Sequence, residues 1–458
     1  MSEPGERASG LAEGDEVEVD VTSFAHGGAG VARHRGQVLF VRHALPGERV
    51  RARVGEVGPR GRFVRADAVD VVVPSPDRVP PPCPFAGPGR CGGCDLQHVS
   101  LPRQRALKAD VVREQLSRLA GLDVDVRVEP VPGDDEGLGW RTRVRFAVDP
   151  TGRAGLRRHR SHDVVPVDRC RISVPGVDAL GVTARRWTGA EHVDAVVPSV
   201  GEPVTVVVPG GEAPDVTERV EARWRAPDGS GRMMRRDFVV SAAGFWQVHP
   251  GAAATFVSAV MEALAPRPGE RAVDLYGGVG LFAAALAQEV GPSGQVVLVE
   301  ADADAAARAD AGLDRHGNVA VVRARVDAAL GVSRHSRRGP RRDRRRGGPR
   351  SALVPDRADL VVLDPPRTGA GPEVCRAVAA LRPRAVAYVA CDPAALARDT
   401  AALLAAGYRL ERLRAFDAFP MTHHVECVAT LVRDPDRSSA PSGEPRGRSG
   451  KVPERPPG

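Results

Sequence analysis

The chain is 458 residues long with 42% hydrophobic and 27% charged residues, enough for about three domains at ~150 residues each. Its 65 Lys and Arg against 58 Asp and Glu leave a net charge of +7, which excludes an acidic solvating protein and suits a polyanionic partner. Seven cysteines are too few for a secreted disulfide scaffold, and Arg, Asp, Gly or Pro breaks every apolar run short of a membrane span, so a cytoplasmic protein free of membranes is expected.

From Asp15 to Val73 apolar residues alternate in short runs: Val17, Val19 and Val21, then Val38 and Phe40, then Val50, Ala52 and Val54. Turn signals at His26-Gly27-Gly28, Gly30, Pro46-Gly47 and Gly58-Pro59 separate them, which predicts a small all-β barrel over 1–75. Barrels of this size often bind nucleic acid on one face; a purely structural barrel is the alternative. The stretch 76–240 mixes a helix, Leu101–Leu119, with strands at Val124–Val128, Arg143–Val148 and Val204–Val208.

From Gly269 the pattern becomes strands followed by Ala-rich helices. Strands are expected at Arg271–Leu275, Gln295–Val299, Leu360–Leu363 and Ala385–Ala390, and helices at Leu281–Val290, Ala303–His316 and Cys375–Leu381. Such alternation predicts a doubly wound α/β sheet over 241–433. Residues 332–350 interrupt it with nine arginines and a single Asp343, a net of +8 that leaves the rest of the chain at −1; this insert reads as a disordered loop, and so does the Ser/Pro/Gly-rich tail, 434–458.

Five constellations carry chemistry. Cys83, Cys91 and Cys94 sit in a Gly/Pro-rich segment, and Cys170 is the best fourth thiol; four thiolates suit zinc or an iron–sulfur cluster. AVDLYGGVGLF runs from a buried strand through Gly277, Gly278 and Gly280 into a helix, bringing backbone close to a cofactor. The next strand ends in Glu300, where an acid suits a ribose diol. A GxGxxG pattern is absent, which favours S-adenosylmethionine (SAM) over a dinucleotide.

LDPPR, ending an apolar strand, faces the ligand crevice and carries Arg367 where exocyclic-amine methyltransferases place an aromatic. ACDP delivers Cys391 to the same sheet edge at a helix start, where a thiolate is favoured; an inert buried thiol is the alternative. Glu426 stands in an apolar stretch, where desolvation raises a carboxyl toward the working range of a general base; a structural ion pair is the alternative.

Together these residues resemble the SAM-dependent RNA 5-methyluridine (uracil-C5) methyltransferases, over about Gly14–Arg433. GGAGVAR and ALPGERV look like the family's OB-like TRAM barrel. GFWQVHP, DLYGGVGLF, LVE, LDPPR, ACDPAALARD and FPMTHHVE occur in the family's order. The resemblance implies a Rossmann-like catalytic domain, a TRAM barrel that binds RNA, and a central α+β region carrying a [4Fe-4S] cluster on Cys83, Cys91, Cys94 and Cys170. It implies that Gln247, Tyr276, Glu300, Asp327 and Asp364 contact SAM, with Gly278 and Gly280 shaping the turn, that Cys391 is the nucleophile and that Glu426 is the base. His249 and Asp392 depart from the asparagines the family often has, and Asp392 is expected to raise the Cys391 pKa unless a hydrogen bond or the helix end compensates.

The chemistry explains the residue types. Uracil C5 is a weak nucleophile, so a thiolate must first add to C6; a base must then remove the C5 proton, and the uridine must leave its stack. Arg141, Arg143 and Arg145 are candidates to hold the RNA backbone. A 23S ribosomal RNA substrate and a monomer are expected. The alternatives are a transfer RNA uridine-54 methyltransferase and a catalytically silent RNA-binding or assembly protein.

Overall fold

The computed structural model describes residues 10–332 and 350–435; the interior of the arginine-rich insert and all but the start of the tail lie outside them. Glu16–Ala25, Ala29–His34, Gln37–Arg42, Arg49–Val57 and Val64–Val73 close into a five-stranded barrel. Val19, Val21, Val50, Ala52 and Val54 fill it, as their alternation predicts. In Gln37–Arg42 the opposite face is inside: Leu39 and Val41 are buried, while Phe40 packs outside on Phe63 with centroids 6.1 Å apart. Four consecutive apolar residues, Val38 to Val41, carry no period-two signal, so pairing with Ala29–His34 sets the register.

The helix Leu101–Ala120 ends at Gly121 in the left-handed conformation and packs against the helix Pro393–Ala405. Arg143–Val148, Ala154–Arg157, Val164–Pro166, His192–Val196 and Val204–Val208 form a five-stranded sheet. A long hairpin, Asp215–Arg225 with Gly231–Ser241, leads to the helix Ala252–Leu264, which packs on it. The strand expected at Val124–Val128 forms only at Val128–Pro130, because its partner strand pairs with it only through Ala415–Asp417.

Eight strands make the large sheet, in the order Val319–Arg323, Gln295–Glu300, Arg271–Leu275, Leu360–Leu363, Ala385–Ala390, Glu426–Arg433, Tyr408–Asp417 and Val128–Pro130. The first five are parallel to one another; the apolar residues of the four inner ones are buried on both faces, while the edge strand Val319–Arg323 is only partly buried. Glu426–Arg433 is antiparallel to both of its neighbours. The helix expected at Ala303–His316 is α-helical to Leu313 and tightens to a 3₁₀ turn at Asp314–His316. Among the described residues no helix is long and apolar enough to cross a membrane.

This topology gathers the chemistry at one edge. Parallel strands deliver Tyr276, Glu300, Asp364 and Cys391 at their C-terminal ends, around the switch point of the sheet. The antiparallel strand begins at that same edge, and because Ala390 pairs with Cys427, Glu426 arrives beside Cys391.

Candidate active site

Two cavities meet at this edge. One, about 400 Å³, is lined by Gln247, Tyr276, Gly278, Glu300 and Asp364, with Phe245, Leu281, Asp302 and Arg308. The other, about 600 Å³, holds Cys391 and Glu426 together with Asp364, Arg367, Trp140, Phe419 and His424. Phe245, Trp246, Gln247, Tyr276 and Asp364 line both, so the two cavities share a wall.

In the first cavity the Glu300 carboxylate accepts the Gly278 and Asp302 amides at 2.9 and 2.7 Å, which fixes the turn against the neighbouring strand end. Gly280 opens the following helix at φ +92°, where a Cβ would lie 2.6 Å from Leu313 Cδ1, so only glycine fits. Asp274, fully buried beneath the turn, accepts the Ala283 amide at 2.9 Å, and burial lifts its carboxyl to about 7. Asp364 is likewise lifted to about 7 by burial. A glycine turn, a ring of acids and the aromatic Phe245, 79% exposed, suit a polar ligand with a ribose and an amino-acid end. Asp327 is not among the lining residues; its carboxylate is held by the Arg325 guanidinium at 3.1 Å, and its charge reaches Tyr276, which is.

In the second cavity burial pushes the Cys391 thiol up to about 11, the Glu426 and Asp364 carboxylates adding to the rise and the Arg367 cation opposing it. Burial also drives the Glu426 carboxyl well above its ordinary value, with Asp364 adding to this and Arg367 again opposing. Arg367 is therefore the cation that favours the charged forms of both groups. Burial lowers His424 to about 3, so it is a neutral imidazole; its Nε2 lies 3.4 Å from an Arg367 nitrogen.

For Asp392 the compensating arrangement is the one present. Its carboxylate turns away to cap the next helix through the Ala395 amide at 2.7 Å and to meet His26 of the barrel at 3.1 Å. His249 is buried, stacked on Trp140 with centroids 5.9 Å apart, and accepts the Gly251 amide, a packing role. Arg143 is spent inside the protein on Glu218 at 3.1 Å and on the carbonyl of Gly244 at 3.0 Å. Arg145 is held by Asp194 at 2.8 Å.

Cys83, Cys91, Cys94 and Cys170 line one small cavity. Burial pushes Cys91 up to about 11 and Cys94 higher still, and the charges of Cys83 and Cys170 add to both. The Gly93 amide and the Gln97 carboxamide each donate to a sulfur, Cys91 and Cys94, at 3.4 Å. Among the described residues no three His, Cys, Asp or Glu side chains converge tightly enough for a single metal ion. Gly93 and Arg141 line both this cavity and the one holding Cys391.

Sequence reasoning did not single out Trp140, Phe245, Phe419 or His424 for the pocket, nor Arg367 as its cation. Phe245 lies two residues before Gln247 in GFWQVHP and Arg367 three after Asp364 in LDPPR, and both were within reach; Trp140 gives no local signal.

Residues 233–434 match the family model described as tRNA (Uracil-5-)-methyltransferase, and residues 11–69 match the TRAM domain. The chain is 47% identical over 445 residues to an uncharacterized RNA methyltransferase of Streptomyces coelicolor, covering 91% of this chain and 93% of that one. It is 36% identical over 479 residues to the 23S rRNA (uracil(1939)-C(5))-methyltransferase RlmD of Chromohalobacter salexigens, covering 95% and 91%. The crystal structure of Pyrococcus abyssi tRNA (uracil-54, C5)-methyltransferase in complex with S-adenosyl-L-homocysteine shares the fold, with a TM-score of 0.58 at 22% identity over 90% of this chain and all of that one. Identity of this extent along nearly the whole of both chains, on a fold that brings a cysteine and a buried glutamate into one pocket, shows that the chain belongs to the SAM-dependent RNA uracil-C5 methyltransferase family.

Proposed function

We propose that this chain methylates C5 of a uridine in 23S ribosomal RNA, with Cys391 as nucleophile and Glu426 as base. The observation that carries this reading is the single pocket holding both groups with the Arg367 cation, against a cavity that suits SAM. The ribosomal substrate rests on the relatives named as 23S rRNA methyltransferases, at 36% and 32% identity.

Bound SAM supplies an electrophilic methyl group on a sulfonium. The Cys391 thiolate adds to uracil C6 and pushes the electron pair toward C5 and the O4 enolate. Arg367 brings positive charge to the pocket where that negative charge develops. Once C5 has taken the methyl group, Glu426 removes the C5 proton, and the returning electron pair expels the thiolate and restores the C5–C6 double bond. Trp140 and Phe419 wall the pocket with aromatic surface for a uridine swung out of its stack. Gln247, Tyr276, Gly278, Glu300 and Asp364 are assigned to SAM, Gly280 to the turn beside it, and the barrel to RNA. Asp327 is assigned to SAM with them, next to Tyr276, on which its charge acts.

The four cysteines fit a [4Fe-4S] cluster as a donor set: they line one cavity, and N–H groups donate to two of the sulfurs. Visible absorption of anaerobically purified protein tests this, and a colourless zinc protein overturns it.

Incubation with SAM and 5-fluorouridine-substituted RNA is the test of function, since fluorine at C5 blocks the final proton removal. A covalent protein–RNA adduct that disappears in Cys391→Ser is expected; no adduct with the wild type supports the silent RNA-binding alternative. Ribosomal and transfer RNA are assayed side by side, because the family model carries the tRNA name.

A further inference from the structure

Asp399 is a buried carboxylate that the reaction above does not use. It lies in the helix Pro393–Ala405, eight residues after Cys391, and is 3% exposed. Its donors are neutral: the Tyr388 hydroxyl at 2.5 Å, the Ala370 amide at 2.7 Å and the Gly371 amide at 3.1 Å. Removing a carboxylate from water for neutral partners is costly, so the arrangement needs a reason beyond packing.

The three groups it joins suggest one. Tyr388 belongs to the strand Ala385–Ala390, which leads directly into Cys391. Ala370 and Gly371 end the loop that begins at Asp364 and carries Arg367 into the pocket. Gly369, at φ +85°, closes that loop by donating to the Pro366 carbonyl at 2.8 Å, and a Cβ there would lie 2.6 Å from Asp399 Oδ2. One carboxylate thus ties the strand that presents the nucleophile to the turn that presents the cation.

We propose that Asp399, with Tyr388, is a positioning residue that fixes the Pro366–Gly369 turn and so aims Arg367 at Cys391 and Glu426. This rests on the functional reading above. Asp399 lines neither cavity, and of the residues assigned to SAM only Tyr276 feels its charge, with no hydrogen bond between them, so its effect should fall mainly on the covalent step.

The experiment is a double-mutant cycle on the single-turnover rate of adduct formation with 5-fluorouridine RNA, with SAM affinity measured in parallel. Asp399→Asn keeps the shape but trades one acceptor for a donor, and should slow the adduct about 10- to 100-fold, leaving SAM affinity within about twofold. Tyr388→Phe removes only the hydroxyl and should slow it several-fold. In an Arg367→Gln background neither change should slow the reaction more than about twofold, because the group they aim is gone. Wild-type rates in both variants, equal slowing in both backgrounds, or loss of SAM affinity in step with the rate would overturn the proposal. If Asp399→Asn does not fold, Tyr388→Phe carries the same comparison. A wild type that forms no adduct removes the functional reading itself, and the positioning role falls with it.

Discussion

His26 Nε2 lies 3.1 Å from Asp392 Oδ2, so the barrel touches the residue next to the proposed nucleophile. Two residues on, Gly28 packs against His423, whose neighbour His424 lines the Cys391 pocket. The element expected to bind RNA and the junction that presents Cys391 are thus one contact surface. The charges that raise Cys391 are those of Glu426 and Asp364; the Asp392 charge is taken up by the helix end and by His26.

Asparagine caps a helix as well as aspartate does, so Asp392→Asn should keep the cap and most of the adduct rate, losing at neutral pH only the contribution of the charged His26 contact. Asp392→Ala should lose about 1 kcal/mol of stability. Burial pushes the Asp392 carboxyl up, but the His26 contact and the Ala395 amide outweigh it and leave the pKa below its ordinary value. A depressed carboxyl stabilises the fold above its unfolded pKa, about 3.9, and that contribution is lost as pH falls through the folded value. Asp392→Asn should therefore flatten the stability profile below about pH 4, measured by urea unfolding across pH; an unchanged profile would show that the contact contributes nothing.

Arg367 opposes the rise in both Cys391 and Glu426, so Arg367→Gln should raise both pKa values. Because the reaction needs the thiolate and the carboxylate, kcat/KM should climb with pH on its acid side, and the climb should move to higher pH in the variant. A climb at the same pH in both proteins would remove Arg367 from the electrostatics of the pocket.

Glu426→Gln leaves addition and methyl transfer possible but removes the base. The variant should accumulate a covalent complex with ordinary uridine RNA plus SAM, visible as a denaturant-stable band that wild type clears. Full turnover at an undiminished rate would assign the proton removal elsewhere.

Gly93 and Arg141 stand between the cysteine cavity and the Cys391 pocket. Cys170→Ser should therefore weaken RNA binding by several-fold while SAM affinity holds, read by filter binding and calorimetry. Equal RNA affinity would make the cysteine centre a remote staple.

The catalytic half was legible because the strands that reach the site are short apolar runs that end in a chemical group, as VVLVE ends in Glu300, LVVL leads into Asp364 and AYVA ends in Ala390 before Cys391. Periodicity failed where apolar residues run on without a break in a short strand: the alternation expected at Val38 and Phe40 marks the wrong face, and Leu39 and Val41 point inward. It failed again for Val124–Val128, whose strand is defined only by a partner nearly 290 residues away in the chain. The charge of Asp392 was visible, but its direction depends on His26, which no local pattern connects to it. Trp140 reaches the pocket through tertiary packing alone.

Lys108, one of two lysines in the chain, offers the last test. It is fully buried in the helix Leu101–Ala120, with Nζ 2.5 Å from Asp417 and 3.0 Å from the Phe419 carbonyl, while Arg105 reaches Asp417 at 3.2 Å. Burial lowers the Lys108 pKa and the Asp417 charge pulls it back. Lys108→Met would leave Asp417 buried with Arg105 as its remaining cation, and removing one partner of a buried pair costs about 3–5 kcal/mol; the remaining arginine puts the expected loss near the lower end. Lys108→Met with Asp417→Leu should recover much of that stability, since apolar pairs of similar volume often replace buried ion pairs at little cost. Activity should not recover with it, because the lysine also holds the carbonyl of Phe419, a wall of the Cys391 pocket. Urea midpoints and adduct rates for the single and double variants separate the two effects: a double variant restored in both would make Lys108 a fold element alone.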